Sequence, residues 1–403
     1  MIQKYFHVNA NRNFSIVMIW INGGSDMDGE GEKGINQILC SLLNRGCKGF
    51  ENLELSEFID SHGAELNHEI SEDGMLISLK SLNEHFDKLF PLIDLIINKP
   101  LLSETQFQNV KRTTINSIRK DKENPFNIAF EKWRKLVYEK HPYAFNCIGY
   151  EQDILKINHN DILYEYEKFK SRNKYLISNN LNINDQSLDA SNQNTSKEFF
   201  DYPNLNKKNT FISTHQKSNQ IILMIGNQTC SQLSYEYIPL KILESHLSYG
   251  MSSILFKLFR EKNGLTYEVG TFNPIRKQNS PFLIYLSVSN KDALLTFQIL
   301  LELWHKLLSS LLTDNEIDLA KEKLRSSFLI SNQSLEEILQ RRIQLIGYGL
   351  DPNFDMYFLT KIQEINSKDI LKITKKYFSK PFLSILGDKN ICNDIENIWI
   401  KNF

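Results

Sequence analysis

The sequence predicts an α+β protein made of two homologous halves, each an antiparallel-rich sheet with helices packed on one face. Three observations carry this reading. Each half runs from short β-rich stretches into long amphipathic helical patterns. The pattern recurs: "SLNEHFDKLFPLIDLIINKPLLSETQFQNVKR" in the first half has its counterpart in "VSNKDALLTFQILLELWHKLLSSLLTDNEIDLAKEK", a domain-scale period of ~210 residues. Finally, 403 residues are too many for one ordinary core.

The elements follow in order. "FSIVMIWI" (residues 14–21) reads as a strand and "NGGSDMDGEGEKG" as an acidic, Gly-rich loop. In "GINQILCSLLNRG" (34–46), Ile35, Ile38, Leu39, Leu42 and Leu43 recur at helical spacing. Gln37, Cys40 and Ser41 stand at i, i+3 and i+4 and share one helix face. "NLELSEFIDSHG" is a second helix, stopped at Gly63. "ELNHEI" and "MLISLKSL" are strands, and three helices follow in "EHFDKLFPLIDLII", "SETQFQNVKRTTINSIRKD" and "NPFNIAFEKWRKLVYEK". Ser103 with Gln106, and Thr313 with Glu316, have capping-box spacing at matched helix starts.

Between residues 182 and 209 the periodicity dissolves into Asn, Ser, Asp and Lys, the composition of a linker. The division is therefore 1–185, a linker at 186–208, and 209–403, the last opening with the strand "SNQIILMIG".

Composition sets the class. A hydrophobic fraction of 41% and a charged fraction of 24% are those of a globular chain. The net charge of −1 carries no nucleic-acid footprint. Five scattered cysteines form no C-x-x-C pair, which suits reduced thiols. The N-terminus has no apolar signal region, and "IVMIWI" is far short of the about 20 residues that span a bilayer. The expectation is a soluble, cytoplasmic protein without a membrane or nucleic-acid partner.

His62, Glu65, His68 and Glu69 lie on a strand and its turn, so they point to alternate faces and read as surface or satisfied residues. His141, before Pro142, reads as structural.

The segment "YGMSSILFKLFREKNGLTYEVG" (249–270) resembles the insulinase/pitrilysin-type zinc peptidases, the inverted zincins, in their short two-domain bacterial and processing-peptidase branch. "KHPYAFNCIGYEQDILKINHNDILYEYEKF" and "TINSIRKDKENP" resemble two further stretches of that family, so the likeness covers nearly the whole chain. In the family the helix after the first strand carries His-x-x-Glu-His. Aligning the family's glycine with Gly34 puts its first His at Gln37, its catalytic Glu at Cys40 and its second His at Ser41; a later Glu ligand falls on Asn116, or Ser117 one residue on.

A catalytic zinc needs three strong ligands and a carboxylate base. A neutral amide, a hydroxyl, a second amide and a lone thiol do not supply them. The three positions on the first helix are read instead as ordinary polar residues facing a shallow groove. No cofactor or metal is expected on this chain.

The family's second constellation is retained: Arg260 and Tyr267 are seven residues apart. "SSILFKLFREKNG" reads as a helix stopped at Gly264 and "LTYEVGTF" as a strand. The resemblance implies that the pair grips the substrate backbone and the developing oxyanion. The local pattern equally fits an Arg that stabilises a helix end and a Tyr that packs.

The resemblance implies half of a peptidase clamshell completed by dimerisation. This chain would be the non-catalytic, Arg/Tyr-supplying subunit of a heterodimeric zinc peptidase acting on peptides. Its partner would be a homologue with intact His-x-x-Glu-His, and the zinc would sit in that partner. The alternative is a catalytically dead scaffold or a peptide-binding homologue.

Overall fold

The computed structural model describes residues 2–6, 12–180, 210–266, 268–351 and 354–403. The expected linker at 186–208 and Tyr267 lie outside the described residues.

Two five-stranded sheets repeat one plan. The first is built from β1 (Ile2–Phe6), β2 (Phe14–Asn22), β3 (Glu65–Ile70), β4 (Gly74–Leu82) and β5 (Lys174–Ser178), in the order β1-β5-β2-β4-β3. The second is built from β6 (Phe211–His215), β7 (Gln220–Gln228), β8 (Glu268–Phe272), β9 (Pro281–Ser289) and β10 (Phe382–Gly387), in the order β6-β10-β7-β9-β8. The parallel pairs are β1 with β5 and β6 with β10; the other ladders are antiparallel.

The helices of the first half are α1 (Ile35–Leu43), α2 (Asn52–Ser61), α3 (Asn83–Asn98), α4 (Glu104–Asp121), α5 (Pro125–Tyr138), α6 (Glu151–Lys156) and α7 (His159–Lys170). The second half adds α8 (Tyr237–Ser248), α9 (Ala293–Ser309), α10 (Asp314–Ser331), α11 (Leu335–Gly347), α12 (Phe354–Glu364), α13 (Ser367–Phe378) and α14 (Lys389–Asn402). Among the described residues no helix is long and apolar enough to cross a membrane.

Alternation along the central strands explains what covers them. In β2, Val17, Ile19 and Ile21 enter one core with Ile38 and Leu42 of α1 and Phe86 and Leu89 of α3. In β7, Ile221, Leu223 and Ile225 enter a second core with Phe297, Trp304 and Ile373. These are the helix-covered faces that the repeat predicts. The opposite faces are buried as well: Ile16, Met18 and Trp20 on β2, and Ile222 and Met224 on β7.

That second layer comes from elsewhere in the chain. α11 lies over β2 and β5. There Trp20 meets the Tyr348 ring edge-on at 5.8 Å, and a Cβ on Gly347 would come within 2.2 Å of the indole, so only glycine lets the helix lie down. α5 lies over β10, where the Trp133 indole donates to the Phe382 carbonyl (3.2 Å) and the Ser384 hydroxyl to the Ala129 carbonyl (2.9 Å).

The compact units accordingly exchange one helical segment each. One unit comprises Met1–Asp121, Phe145–Phe199 and Asn332–Pro352; the other comprises Lys122–Ala144, Phe200–Ser331 and Asn353–Phe403. The sequence expectation divides the chain contiguously. Amphipathicity reveals that α5 has an apolar face, but not which sheet that face meets.

Candidate functional site

In the first unit the site is organised by the start of α1. Gly34, at φ +102°, turns the chain where a Cβ would meet the Ile148 carbonyl at 2.7 Å. The buried Asp28 carboxylate accepts from the Gly34 N–H (2.7 Å), the Asn36 N–H (3.2 Å) and the Asn36 side-chain amide (2.8 Å). It thus satisfies donors that a helix start leaves open. Burial nevertheless dominates and pushes the Asp28 carboxyl up to about 6, against the hydrogen bonds from Gly34 and Asn36. Arg172 closes the cluster. It donates to the Gly23 carbonyl (2.9 Å) and Asn36 Oδ1 (2.8 Å) and pairs with buried Glu165.

On α1, Gln37 and Ser41 are half-buried and bonded to each other, Nε2 to Oγ at 3.1 Å. Cys40 does not share their setting. Its side chain is fully buried, and Sγ contacts the Glu69 carbonyl of β3 at 3.7 Å. The reading of three residues facing a shallow groove is therefore corrected for Cys40. The helix is buried almost all round, and the residue beside a polar one still enters the core. Burial, with Glu69 nearby, pushes the thiol up to about 12, so it is protonated at neutral pH.

Asn116 and Ser117 are exposed on α4, the helix against which α1 packs. A half-buried amide, a buried protonated thiol, a hydroxyl already accepting a hydrogen bond and an exposed amide do not fit zinc. Among the described residues no group of three or more His, Cys, Asp or Glu side chains could hold a metal ion.

The acidic and histidine residues of β3 do not converge. His68 is bonded to the Asn44 amide, and burial, helped by Arg45, lowers its pKa, which keeps it neutral. Glu65 lies 3.8 Å from Lys80, and Glu69 accepts from Gln340 at 3.4 Å. His62 contacts the Phe58 carbonyl at 2.8 Å and stacks edge-on to His85. In the second unit His141 is held by Gln278 at 2.9 Å and accepts from the Tyr143 N–H at 3.1 Å.

Also in the second unit, the segment expected as a regular helix is wound as a π turn over Phe256–Glu261. Such turns are rare and frequently mark functional positions. Arg260 sits in that turn, exposed, with its guanidinium 5.1 Å from the Phe256 ring centre. Gly264, at φ +60°, ends the turn, and the Leu265 N–H returns to the Phe259 carbonyl at 2.8 Å. The chain then enters β8, the edge strand of its sheet.

One feature of this region escapes the sequence reading. On α8, buried Lys241 pairs with buried Glu244 at 2.8 Å. Lys241 also donates to the Asn273 carbonyl (2.8 Å), and the Asn273 amide donates to Glu244 (3.1 Å). Ser248 is bonded to Thr271 at 2.6 Å. α8 is thereby fastened to the end of β8. A Lys-x-x-Glu step on a helix reads from sequence as a solvated pair; only the flanking run "YIPLKILES", apolar around it, signals burial.

Comparison with known proteins agrees with this arrangement. Residues 6–149 match the family described as Insulinase (Peptidase family M16), and residues 176–324 match the family described as Peptidase M16 inactive domain. An "Uncharacterized zinc protease" of Rickettsia bellii is 24% identical over 380 residues, 91% of this chain and 91% of that protein. A "Non-peptidase homolog YmxG" of Helicobacter pylori is 22% identical over 371 residues, 88% of this chain and 84% of its own. The crystal structure of a "peptidase M16 inactive domain" from Pseudomonas fluorescens superposes with a TM-score of 0.84 at 20% identity, covering 96% of this chain and 95% of the other.

Proposed function

This chain is an insulinase-family relative of the inverted zincins, and on that premise we propose that it is a non-catalytic, Arg/Tyr-supplying subunit of a cytoplasmic heterodimeric zinc peptidase. One observation carries the reading. Cys40, where the family's general base aligns, is buried against β3 with its thiol held protonated, while Arg260 remains exposed in its turn before Gly264. The first fact removes the general base from α1. The second keeps a cation available for a peptide carbonyl.

In this reading the zinc and the attacking water belong to a homologous partner with intact His-x-x-Glu-His. This chain binds and orients the peptide through Arg260 and Tyr267. The name of the Helicobacter relative, a non-peptidase homologue, supports inactivity of the chain on its own.

The test mixes the chain with an intact-motif homologue and follows hydrolysis of a peptide library. Neither chain alone should be efficient, and the mixture should be. Tyr267→Phe should lower turnover on the order of a hundredfold, the effect of one lost oxyanion donor. An active mixture whose turnover Tyr267→Phe leaves unchanged would transfer the chain to the scaffold reading.

A further inference from the structure

Sequence order groups His62 with Glu65, His68 and Glu69, but the fold pairs it elsewhere. His62, the residue that ends α2, meets His85, in the first turn of α3; both belong to the first unit. Their ring centres are 5.1 Å apart, with the planes close to perpendicular at 84°. The Phe58 ring, one helical turn earlier, backs His62 at 4.6 Å. Both imidazoles are half-buried, so each keeps part of its ring in solvent.

Hydrogen bonding fixes which nitrogen of each ring is open. His62 Nδ1 lies 2.8 Å from the Phe58 carbonyl, which can only accept, so Nδ1 carries the proton and Nε2 keeps its lone pair. Ser61 Oγ, 3.2 Å from the same Nδ1, gives its own proton to that carbonyl at 2.9 Å. His85 Nε2 lies 3.4 Å from the Glu84 carboxylate, also an acceptor, which leaves Nδ1 as the lone-pair nitrogen of the neutral ring. One ring N–H committed to a carbonyl or carboxylate, with the other nitrogen left for the ion, is how metal-binding histidines are held.

The spacing suits a shared ion. Two imidazoles at the usual ~2.0–2.1 Å metal–nitrogen distance, meeting at roughly 90–110°, place their ring centres about 4.5–5.2 Å apart. Among the described residues no third His, Cys, Asp or Glu completes a ligand set, so the remaining positions of the ion fall to water or to an outside ligand. Imidazole suits nickel, copper or zinc, whereas magnesium and calcium take oxygen donors.

We propose that His62 and His85 bind one divalent late-transition-metal ion through His62 Nε2 and His85 Nδ1, tying the end of α2 to the start of α3. The site is apart from the α1 positions and independent of the peptidase reading.

Calorimetric titration of the full chain tests it, with nickel(II) as the probe because thiols do not reduce it as they do copper(II). Nickel should bind saturably in the micromolar range, and magnesium(II) at least about tenfold more weakly. His62→Gln and His85→Gln should each weaken nickel at least about tenfold, with the circular dichroism spectrum intact. Excess nickel should raise the melting temperature of the parent and not that of the double variant. No saturable nickel binding up to about 1 mM overturns the proposal. So does magnesium binding as tightly as nickel, or a nickel affinity that either single substitution leaves unchanged.

Discussion

α1 and α8 hold the same place in two sheets of the same topology. Each follows a central strand, packs against the edge strand β3 or β8, and leans on an 18-residue helix, α4 or α10. They keep their charge in different places. α1 has a neutral polar face, Gln37 and Ser41 bonded to each other, and its buried charges gather before and behind its N-terminus at Asp28, Glu165 and Arg172. α8 carries a buried ion pair in mid-helix. The difference shows how each helix is fixed to its sheet. α1 is anchored by its first turn, so its outer face tolerates the replacement of metal ligands by neutral side chains. α8 is anchored by charge in its middle, close to the strand that leads away from Arg260.

The largest test of the comparison concerns the sheets themselves. Because α11 covers β2 and β5 while α5 covers β7 and β10, neither contiguous half contains its own second layer. Residues 1–185 expressed alone should fail to give a cooperative thermal transition. Co-expression with 209–403 should restore one, and cleavage within 186–208 should leave both fragments co-eluting. A folded, monomeric 1–185 would show that the exchanged helix is dispensable.

Next comes Lys241→Ala. It leaves Glu244 buried without its cation and should destabilise by about 3–5 kcal/mol in urea unfolding. Burial opposes the Lys241 charge, but Tyr237 and Glu244 outweigh it and hold the pKa above the usual lysine value. Replacing both partners by apolar residues should cost far less than Lys241→Ala alone, because no orphan charge remains. A loss under about 1 kcal/mol for Lys241→Ala would deny α8 its electrostatic anchor.

The α1 anchor has its own signature in pH. Asp28 has a folded pKa near 6 against an ordinary value of 3.8, so the protonated carboxyl is the form the fold prefers. Its contribution to stability is full below pH about 4 and is lost as pH rises to about 6, on the order of 2–3 kcal/mol. Urea midpoints measured from pH 4 to 7 should show this limb in the parent chain, and Asp28→Asn should flatten it. The limb persisting in Asp28→Asn would assign it to another group.

Much of this architecture was legible. β2 follows from a continuous apolar run, β3 from alternation and β4 from an apolar start that turns to alternation. The capping signals at Thr313 and Glu316 close a full box, while Ser103 receives only the Gln106 N–H, at 3.4 Å. What was not legible is long-range. The parallel pairing of β5 with β1 and of β10 with β6 joins strands far apart in the chain. The burial of Cys40 depends on β3 lying against it, and the fastening of Lys241 on the Asn273 carbonyl that accepts its ammonium. Local period reports that a helix has a face. It does not report what stands opposite that face.

The smallest expected effect returns to α1. Gln37→Ala removes one half-buried hydrogen bond and leaves Ser41 Oγ without its donor, so it should cost about 0.5–1.5 kcal/mol. Adding Ser41→Ala removes the orphaned hydroxyl as well, and the double variant should be no less stable than Gln37→Ala alone, a non-additivity expected of contacting residues. Neither change reaches the Asp28 cluster, so the pH limb between 4 and 6 should survive in both variants. A double variant losing several kcal/mol, or losing that limb, would mean that the neutral face of α1 helps to hold the helix down. The contrast drawn with α8 would then fail on the α1 side.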